Sequence, residues 1–290
     1  MLQRAVSEPD PELVRRLVRA ALDEDHAYQD LTTAALVGVE QRGSGVIIAK
    51  AQGVLAGLPV ARAVFQEIDS SLLWEAFLTD GGRAAPGQRL AMVRGAYAPI
   101  LRGERVALNF LQRLSGIASA TAAMAEALQG LPVCILDTRK TAPGLRVMEK
   151  YAVRMGGGMN HRLHLADGIL IKDNHLAALR ARGLTIADGI RLARRNAGPG
   201  ALVEVEVTSL AEVEDALGAG ADMLLLDNMD LRLTRQAVQM AKGRAITEAS
   251  GGITLASVRA VAETGVDYIS SGAITHSAHA LDISLELELA

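Results

Sequence analysis

Apolar residues recur along this chain in two rhythms, and the change between them divides it. In residues 11–24, Leu13, Leu17, Val18, Ala21 and Leu22 share one helical face, with Pro11 placed to open the helix. Residues 43–56, 72–79 and 88–93 are short, β-rich and punctuated by Gly, and Gly81-Gly82 and Pro86-Gly87 mark turns. This first third predicts a small sheet domain with helices. Residues 103–128 then carry Ala107, Phe110, Leu111, Leu114, Ile117, Ala118 and Thr121 as a helical stripe, with Arg105, Asn109 and Arg113 on another side. Beyond that helix, short apolar runs at 133–136, 168–171, 202–207, 223–226, 245–248 and 268–270 predict buried strands. Helical stretches at 186–195, 210–217, 231–240 and 255–264 separate most of them. Such alternation predicts a parallel sheet, and six or seven units predict closure into a barrel.

The residues that end each apolar run carry the chemistry. The first run ends in Asp137-Thr138-Arg139-Lys140 and the second in Lys172-Asp173. The third holds Glu204 and Glu206, the fourth ends in Asp227-Asn228, the fifth in Ser250-Gly251-Gly252 and the sixth in Ser271-Gly272. A barrel brings all these positions to one rim, the C-terminal face where active sites lie. One polar strand end is ordinary loop chemistry; a full circle of cations, then carboxylates, then Gly-rich turns is not. Arg139, Lys140, Arg162 and Lys172 suit carboxylate or phosphate groups. Glu204 and Glu206, two residues apart on a strand, share a face and need a cation, a metal or hydroxyls if they point inward. Asp227-Asn228 offers hard oxygens to sugar hydroxyls or Mg²⁺. The turns at Ser250-Gly251-Gly252 and Gly272-Ala273 each precede a helical stretch and present backbone N–H groups to a phosphate. His161 adjoins Arg162 as a candidate ligand contact. His164 reads as structural or solvent-facing, while His175 and His276 lie in the strand-end loops.

Composition narrows the ligand. Residues 137–175 hold seven Lys and Arg against four Asp and Glu, in a chain whose net charge is −3. A local positive excess on an acidic protein points to a small anion and away from nucleic acid. No apolar stretch approaches the ~20 residues of a spanning helix. Residues 1–19 alternate charges without a signal-type apolar region, and a single cysteine permits no internal disulfide, so the expectation is a reducing cytoplasm. Cys134, inside an apolar run, is expected to be buried packing. No zinc-site spacing and no G-x-S-x-G elbow is present.

Seven stretches, ALNFLQRLSGIA (107–118), DTRKTAPGLRVMEKYAV (137–153), GGGMNHRLHLADGILIKDNH (156–175), VEVEV (203–207), ADMLLLDNM (221–229), EASGGIT (248–254) and SSGAITHS (270–277), closely resemble the quinolinate phosphoribosyltransferases over nearly the whole chain. The resemblance implies an α/β fold: an N-terminal α/β sandwich-like domain (1–110, with 276–290 packing on it) and an irregular α/β barrel (111–275). It implies at least a homodimer with shared active sites. It implies transfer of phosphoribose from phosphoribosyl pyrophosphate to quinolinate, with Mg²⁺ and loss of CO₂, in NAD biosynthesis. Arg139, His161, Arg162 and Lys172 match the quinolinate-binding positions, and Arg105 matches an arginine given by the neighbouring subunit. Lys140 and Lys172 match lysines near phosphoribosyl pyrophosphate, and Glu206 and Asp227 match the acids that hold ribose hydroxyls and metal. Glu206 is preferred to Glu204 because 21 residues separate it from Asp227, as in the family. Ser250, Gly251 and Gly272 match the 5′-phosphate loops, with His276 nearby. One departure is Gln29, where the family often has Gly before Asp-Leu-Thr-Thr.

Rival readings are a transferase of the same fold for another base, such as nicotinate, a molybdenum-transport-associated paralogue, and a non-catalytic anion-binding barrel. The set Arg105, Arg139, Arg162 and Lys172 favours a dicarboxylate over the first two. Glu206 and Asp227 disfavour the third, since an anion binder gains nothing from acids beside its ligand.

Overall fold

The computed structural model describes residues 8–198 and 200–289; the ends of the expected domains at 1–7 and 290 lie outside these. The described chain forms two compact units. One holds residues 8–122, 142–157 and 277–289, the other residues 123–141 and 158–276.

In the first unit, helix α1 (Pro11–Glu24) starts at Asp10, whose side chain accepts the Glu12 N–H, and it buries Val14, Val18 and Leu22. Asp30 caps the short α2 (Leu31–Leu36) through the Thr32 and Thr33 N–H groups. The turn expected there thus keeps its capping acid even though Gln29 precedes it. Then follow β1 (Arg42–Ala49), β2 (Gly53–Val54), α3 (Leu58–Ile68), β3 (Leu73–Ala76), β4 (Arg83–Ala84) and β5 (Arg89–Ala96). Asp80 caps α3, accepting from Gly57 and Leu58 N–H at 2.7 and 3.1 Å and from the Tyr151 hydroxyl at 2.7 Å.

Helix α4 (Tyr97–Ala127) opens six residues before the sequence stripe, with Pro99 in its first turn, where a missing N–H costs nothing. It runs in sequence from the first unit into the second, which continues with β6 (Cys134–Leu136). Helix α5 (Arg146–Met155) returns to the first unit. The apolar rhythm misses α5 because its buried face includes Glu149 and Lys150, and Glu149 is held by Arg113 at 2.9 Å.

The second unit then alternates: β7 (Ile169–Ile171), α6 (Asp173–Arg180), α7 (Ile186–Ala197), β8 (Val203–Val207), α8 (Leu210–Gly218), β9 (Met223–Asp227), α9 (Leu231–Ala241), β10 (Ile246–Ser250), α10 (Val258–Ala262), β11 (Tyr268–Ser270) and α11 (Ala273–His276). The last strand, β12 (Ile283–Leu289), pairs antiparallel with β1 in a four-stranded sheet of order β12-β1-β5-β3. Strands β6 to β11 form one parallel, barrel-like sheet of six strands, ordered β6-β11-β10-β9-β8-β7. Among the described residues β6 and β7 are its edges, and Met159 adds a single bridge onto Leu136.

On the helix-facing side, Val203, Val205, Val207, Leu224 and Leu226 are buried, and this apolar layer holds the sheet together. The other side of β8 carries Glu204 and Glu206, as strand alternation requires. Cys134 corrects an expectation: it is exposed, on an edge strand with β11 as its partner, not buried packing. Among the described residues no helix is long and apolar enough to cross a membrane.

Candidate active site

The C-terminal ends of the six parallel strands surround a cavity of about 530 Å³. Parallel register sets its floor. Glu206 stands opposite Leu225, Leu225 opposite Glu248, and Asp227 opposite Ser250, so acids and hydroxyls of neighbouring strands face the same space.

The cationic wall starts from a buried acid. Asp137, just past β6, accepts the His161 N–H at 2.8 Å and the Asn160 side-chain amide at 2.6 Å. Backbone bonds from Asp137 N to Met159 O and from Met159 N to Ile135 O lay the same segment along β6. This docking brings Arg162 beside Arg139. Neither arginine makes an ion pair among the described residues, although Arg162 is only 5% exposed and Arg139 Nε is buried without a hydrogen bond. Burial, and then the nearby Arg139 charge, lower the Arg162 pKa. A buried or half-buried guanidinium without a carboxylate is costly. Two side by side mark a place for anionic oxygens.

Lys172 closes this wall from the end of β7. Its Nζ lies 3.2 Å from Glu206 Oε2, and the next residue, Asp173, gives its N–H to Glu206 Oε1 at 3.4 Å. His175 serves locally, accepting the Lys172 N–H on Nδ1 at 2.9 Å. Lys140 is exposed on the cavity rim, its backbone carbonyl accepting from the Thr275 hydroxyl at 2.7 Å.

Beneath the cations lies a buried group of three. His161 Nε2 is 3.2 Å from Glu204 Oε2 and 3.4 Å from Glu248 Oε2. Burial lowers the His161 pKa, but the hydrogen bonds and charges of the two glutamates outweigh it and raise the value to about 10. Burial first, and then the Glu248 charge, raise the Glu204 pKa. The Arg162 N–H, 2.8 Å from Nδ1, opposes a second proton on the ring, because two N–H groups would then face each other.

The far end of the cavity is backbone. Gly251 has φ +92°, and a Cβ there would meet Asn228 Oδ1 at 2.3 Å, so glycine is required on two counts. Asn228 is itself left-handed at φ +53° and donates its side-chain amide to Asp227 Oδ2 at 2.8 Å. A Cβ at Gly272 would approach Lys140 Cδ at 2.9 Å. The two turns differ from expectation in their helices. The one after β10 reaches α10 only at Val258, and α11 after Gly272 is four residues long.

Arg139, Lys140, His161, Arg162, Lys172, Glu206, Asp227, Ser250, Gly251, Gly272 and His276 all line this one cavity. Arg105 stands outside the set, exposed on α4 in the other unit. His164 is exposed and pairs with Asp167 at 3.2 Å. Sequence reasoning passed over Glu248 and Asn160 and did not choose Glu204. Glu248 had a usable signal: an acid two residues before Ser250, on the same strand face as a residue already selected.

A parallel barrel-like sheet with two neighbouring arginines outside any ion pair among the described residues, acids across the cavity and glycine turns beyond defines a protein built for small polyanions. Family models sharpen that class. Residues 30–115 match the quinolinate phosphoribosyl transferase N-terminal domain and residues 117–286 its C-terminal domain. The chain belongs to the quinolinate phosphoribosyltransferase family. It is 42% identical to the chloroplastic nicotinate-nucleotide pyrophosphorylase [carboxylating] of Oryza sativa subsp. japonica, covering 95% of this chain and 78% of that one. It is 41% identical to the probable nicotinate-nucleotide pyrophosphorylase [carboxylating] of Bacillus subtilis, over 95% and 94% of the two chains. The crystal structure of NadC from Streptococcus pyogenes superposes with a TM-score of 0.93 at 42% identity, covering 98% of this chain and all of that one.

Proposed function

We propose that this chain transfers the phosphoribosyl group of phosphoribosyl pyrophosphate to quinolinate, releasing CO₂ and pyrophosphate and leaving nicotinate mononucleotide for NAD biosynthesis. The observation that carries the reading is the neighbouring Arg139 and Arg162, neither in an ion pair among the described residues, with Arg139 Nε buried and without a hydrogen bond. Quinolinate has two neighbouring ring carboxylates, and two guanidinium forks side by side meet that pattern in a way a single cation does not.

The remaining groups take their parts from the cavity. Arg139, Arg162 and Lys172 hold the dicarboxylate, with His161 in the same wall. Lys140 faces the phosphoribosyl pyrophosphate from the rim, and Ser250, Gly251, Gly272 and His276 receive its 5′-phosphate. Glu206 and Asp227 face the ribose hydroxyls. The quinolinate ring nitrogen attacks the anomeric carbon, and pyrophosphate leaves with the bonding electrons. Positive charge grows on the sugar, where Glu206 and Asp227 stabilise it. The nitrogen is then quaternary and draws electrons from C2. The 2-carboxylate departs as CO₂, its bonding pair stays on C2, and one proton completes the ring.

Mg²⁺ fits the donor set at this end. Asp227 Oδ1 takes no hydrogen bond among the described residues, while both Glu206 oxygens already accept from Lys172 and Asp173. Asp227, with Glu206 beside it, would hold the ion, which neutralises charge on the leaving pyrophosphate. The working protein is a cytoplasmic homodimer, and Arg105 of a second copy completes each dicarboxylate grip.

The test is incubation with quinolinate, phosphoribosyl pyrophosphate and Mg²⁺, following nicotinate mononucleotide and CO₂ together, with nicotinate as control base. Equal amounts of both products from quinolinate alone are expected. Product from nicotinate without CO₂ would move the chain to a transferase for a monocarboxylate, and no product at all would leave only anion binding.

A further inference from the structure

Two neighbouring strand ends turn left-handed at the same place. Asn228, just past β9, has φ +53°, and Gly251, just past β10, has φ +92°. The Asn228 N–H donates to Ser250 O at 2.9 Å, which carries the β9–β10 pairing one residue beyond Asp227. Its side chain lies against Gly251: a Cβ there would meet Oδ1, Cγ and Nδ2 of Asn228 at 2.3, 2.5 and 2.7 Å. Nδ2 also donates to Asp227 Oδ2 at 2.8 Å. A carboxylate only accepts, so this bond fixes which end of the amide faces it. Asp227 and Gly251 line the cavity, and Asn228 stands behind them. The backbone alone does not explain the amide. Glycine would take φ +53° more easily and would leave Gly251 uncrowded. Asn228 brings one amide to two places, the acid before it and the turn opposite.

We infer that Asn228 is a positioning residue for the phosphoribosyl pyrophosphate end of the site: its amide holds Asp227 Oδ2, leaves Oδ1 to the cavity, and braces the acid against the Gly251 turn. This rests on the proposed transfer, in which the 5′-phosphate meets the turn and the ribose hydroxyls meet the acid. One small sugar spans both groups, so an acid that swings away loses a contact the phosphate cannot replace. Asn228 is exposed, and an exposed hydrogen bond by itself restrains little. Here the acceptor is charged and the amide is backed by Gly251, and its own N–H is tied to Ser250. The amide therefore has one place to sit, and it passes that restraint to the carboxylate.

Asn228→Gly keeps the left-handed backbone without strain and removes only the amide. Calorimetry with phosphoribosyl pyrophosphate and Mg²⁺, without quinolinate, should show about tenfold weaker binding, with quinolinate affinity within about twofold of wild type. Equal affinity of variant and wild type for phosphoribosyl pyrophosphate would overturn the inference. On an Asp227→Asn background the same change should cost less than about twofold, since Asn228 acts through that carboxylate. The full loss on that background would mean that Asn228 acts independently of Asp227, and the assignment would fall. Thermal unfolding of the ligand-free protein tests the contact with the turn. Gly251→Ala should lower Tm less on the Asn228→Gly background than in wild type, because no amide then blocks the new Cβ. An equal drop on both would show that the amide does not rest on the turn. If the wild type binds no phosphoribosyl pyrophosphate, the transferase reading fails and Asn228 has no substrate to position; the thermal cycle still decides whether the amide braces the turn.

Discussion

Arg162 and Gly251 show how much of this site depends on single atoms. In the proposed reaction Arg162 brings charge to the substrate through its side chain, and its own N–H rests on His161 Nδ1. Truncating it, or Arg139, removes one fork from a desolvated carboxylate and leaves the other charge unmatched. Each of Arg139→Ala and Arg162→Ala should cost ~2–5 kcal/mol of quinolinate binding, a loss read as kcat/KM for quinolinate. Affinity for phosphoribosyl pyrophosphate, measured by calorimetry without the base, should hold. Normal turnover by either variant would remove that arginine from the site. Gly251 works by having no side chain. In Gly251→Ala the new Cβ must displace Asn228 and adopt φ +92°, so the strain is of order 1–3 kcal/mol. That strain should appear as a raised KM for phosphoribosyl pyrophosphate and a lowered Tm, with KM for quinolinate least affected. A variant with wild-type kinetics would show that the turn does not touch the phosphate.

At the scale of elements, helix ends titrate as well as hold. Thr185 caps α7 by accepting the Asp188 N–H, and Asp188 returns the bond by accepting the Thr185 N–H at 2.9 Å. That backbone bond, then the Thr185 hydroxyl and Arg191, hold the Asp188 carboxyl down at about 2, against an ordinary 3.8. A folded pKa below the unfolded one adds stability that is complete above the unfolded value and lost as pH falls through the folded one. Asp188→Ala should thus lower Tm at pH 7, and the gap to wild type should close as pH falls from about 4 toward 2. A gap independent of pH would mean the charge contributes nothing to the cap. The strands were legible in the sequence, because they rest on local pattern: Val203, Val205 and Val207 alternate with acids, and charges follow apolar runs. Helix α5 was not, since Glu149 and Lys150 sit on its buried face and spoil the period. Glu248 was passed over although its two-residue spacing from Ser250 pointed to it. One acid in a short β-rich run reads as a strand end until register shows it facing Leu225 and the cavity.

Arg105 is a question for the whole molecule. Periodicity places it on an exposed face of a long helix, where an arginine is ordinarily solvated and contributes little. If two copies share their sites, Arg105→Ala and Arg139→Ala damage different halves of each one. Each variant alone would be nearly inactive. In a mixed dimer, one site would combine the intact Arg139 of the first chain with the intact Arg105 of the second, and the other site would carry both lesions. Random exchange of equal amounts makes half the dimers mixed, so activity should recover to about a quarter of wild type. Sedimentation would establish the dimer, and a tagged variant would verify that subunits exchange. Recovery near a quarter assigns Arg105 to a neighbouring site. A mixture no more active than its components, after verified exchange, would leave Arg105 on the solvated face and each cavity complete within its own chain.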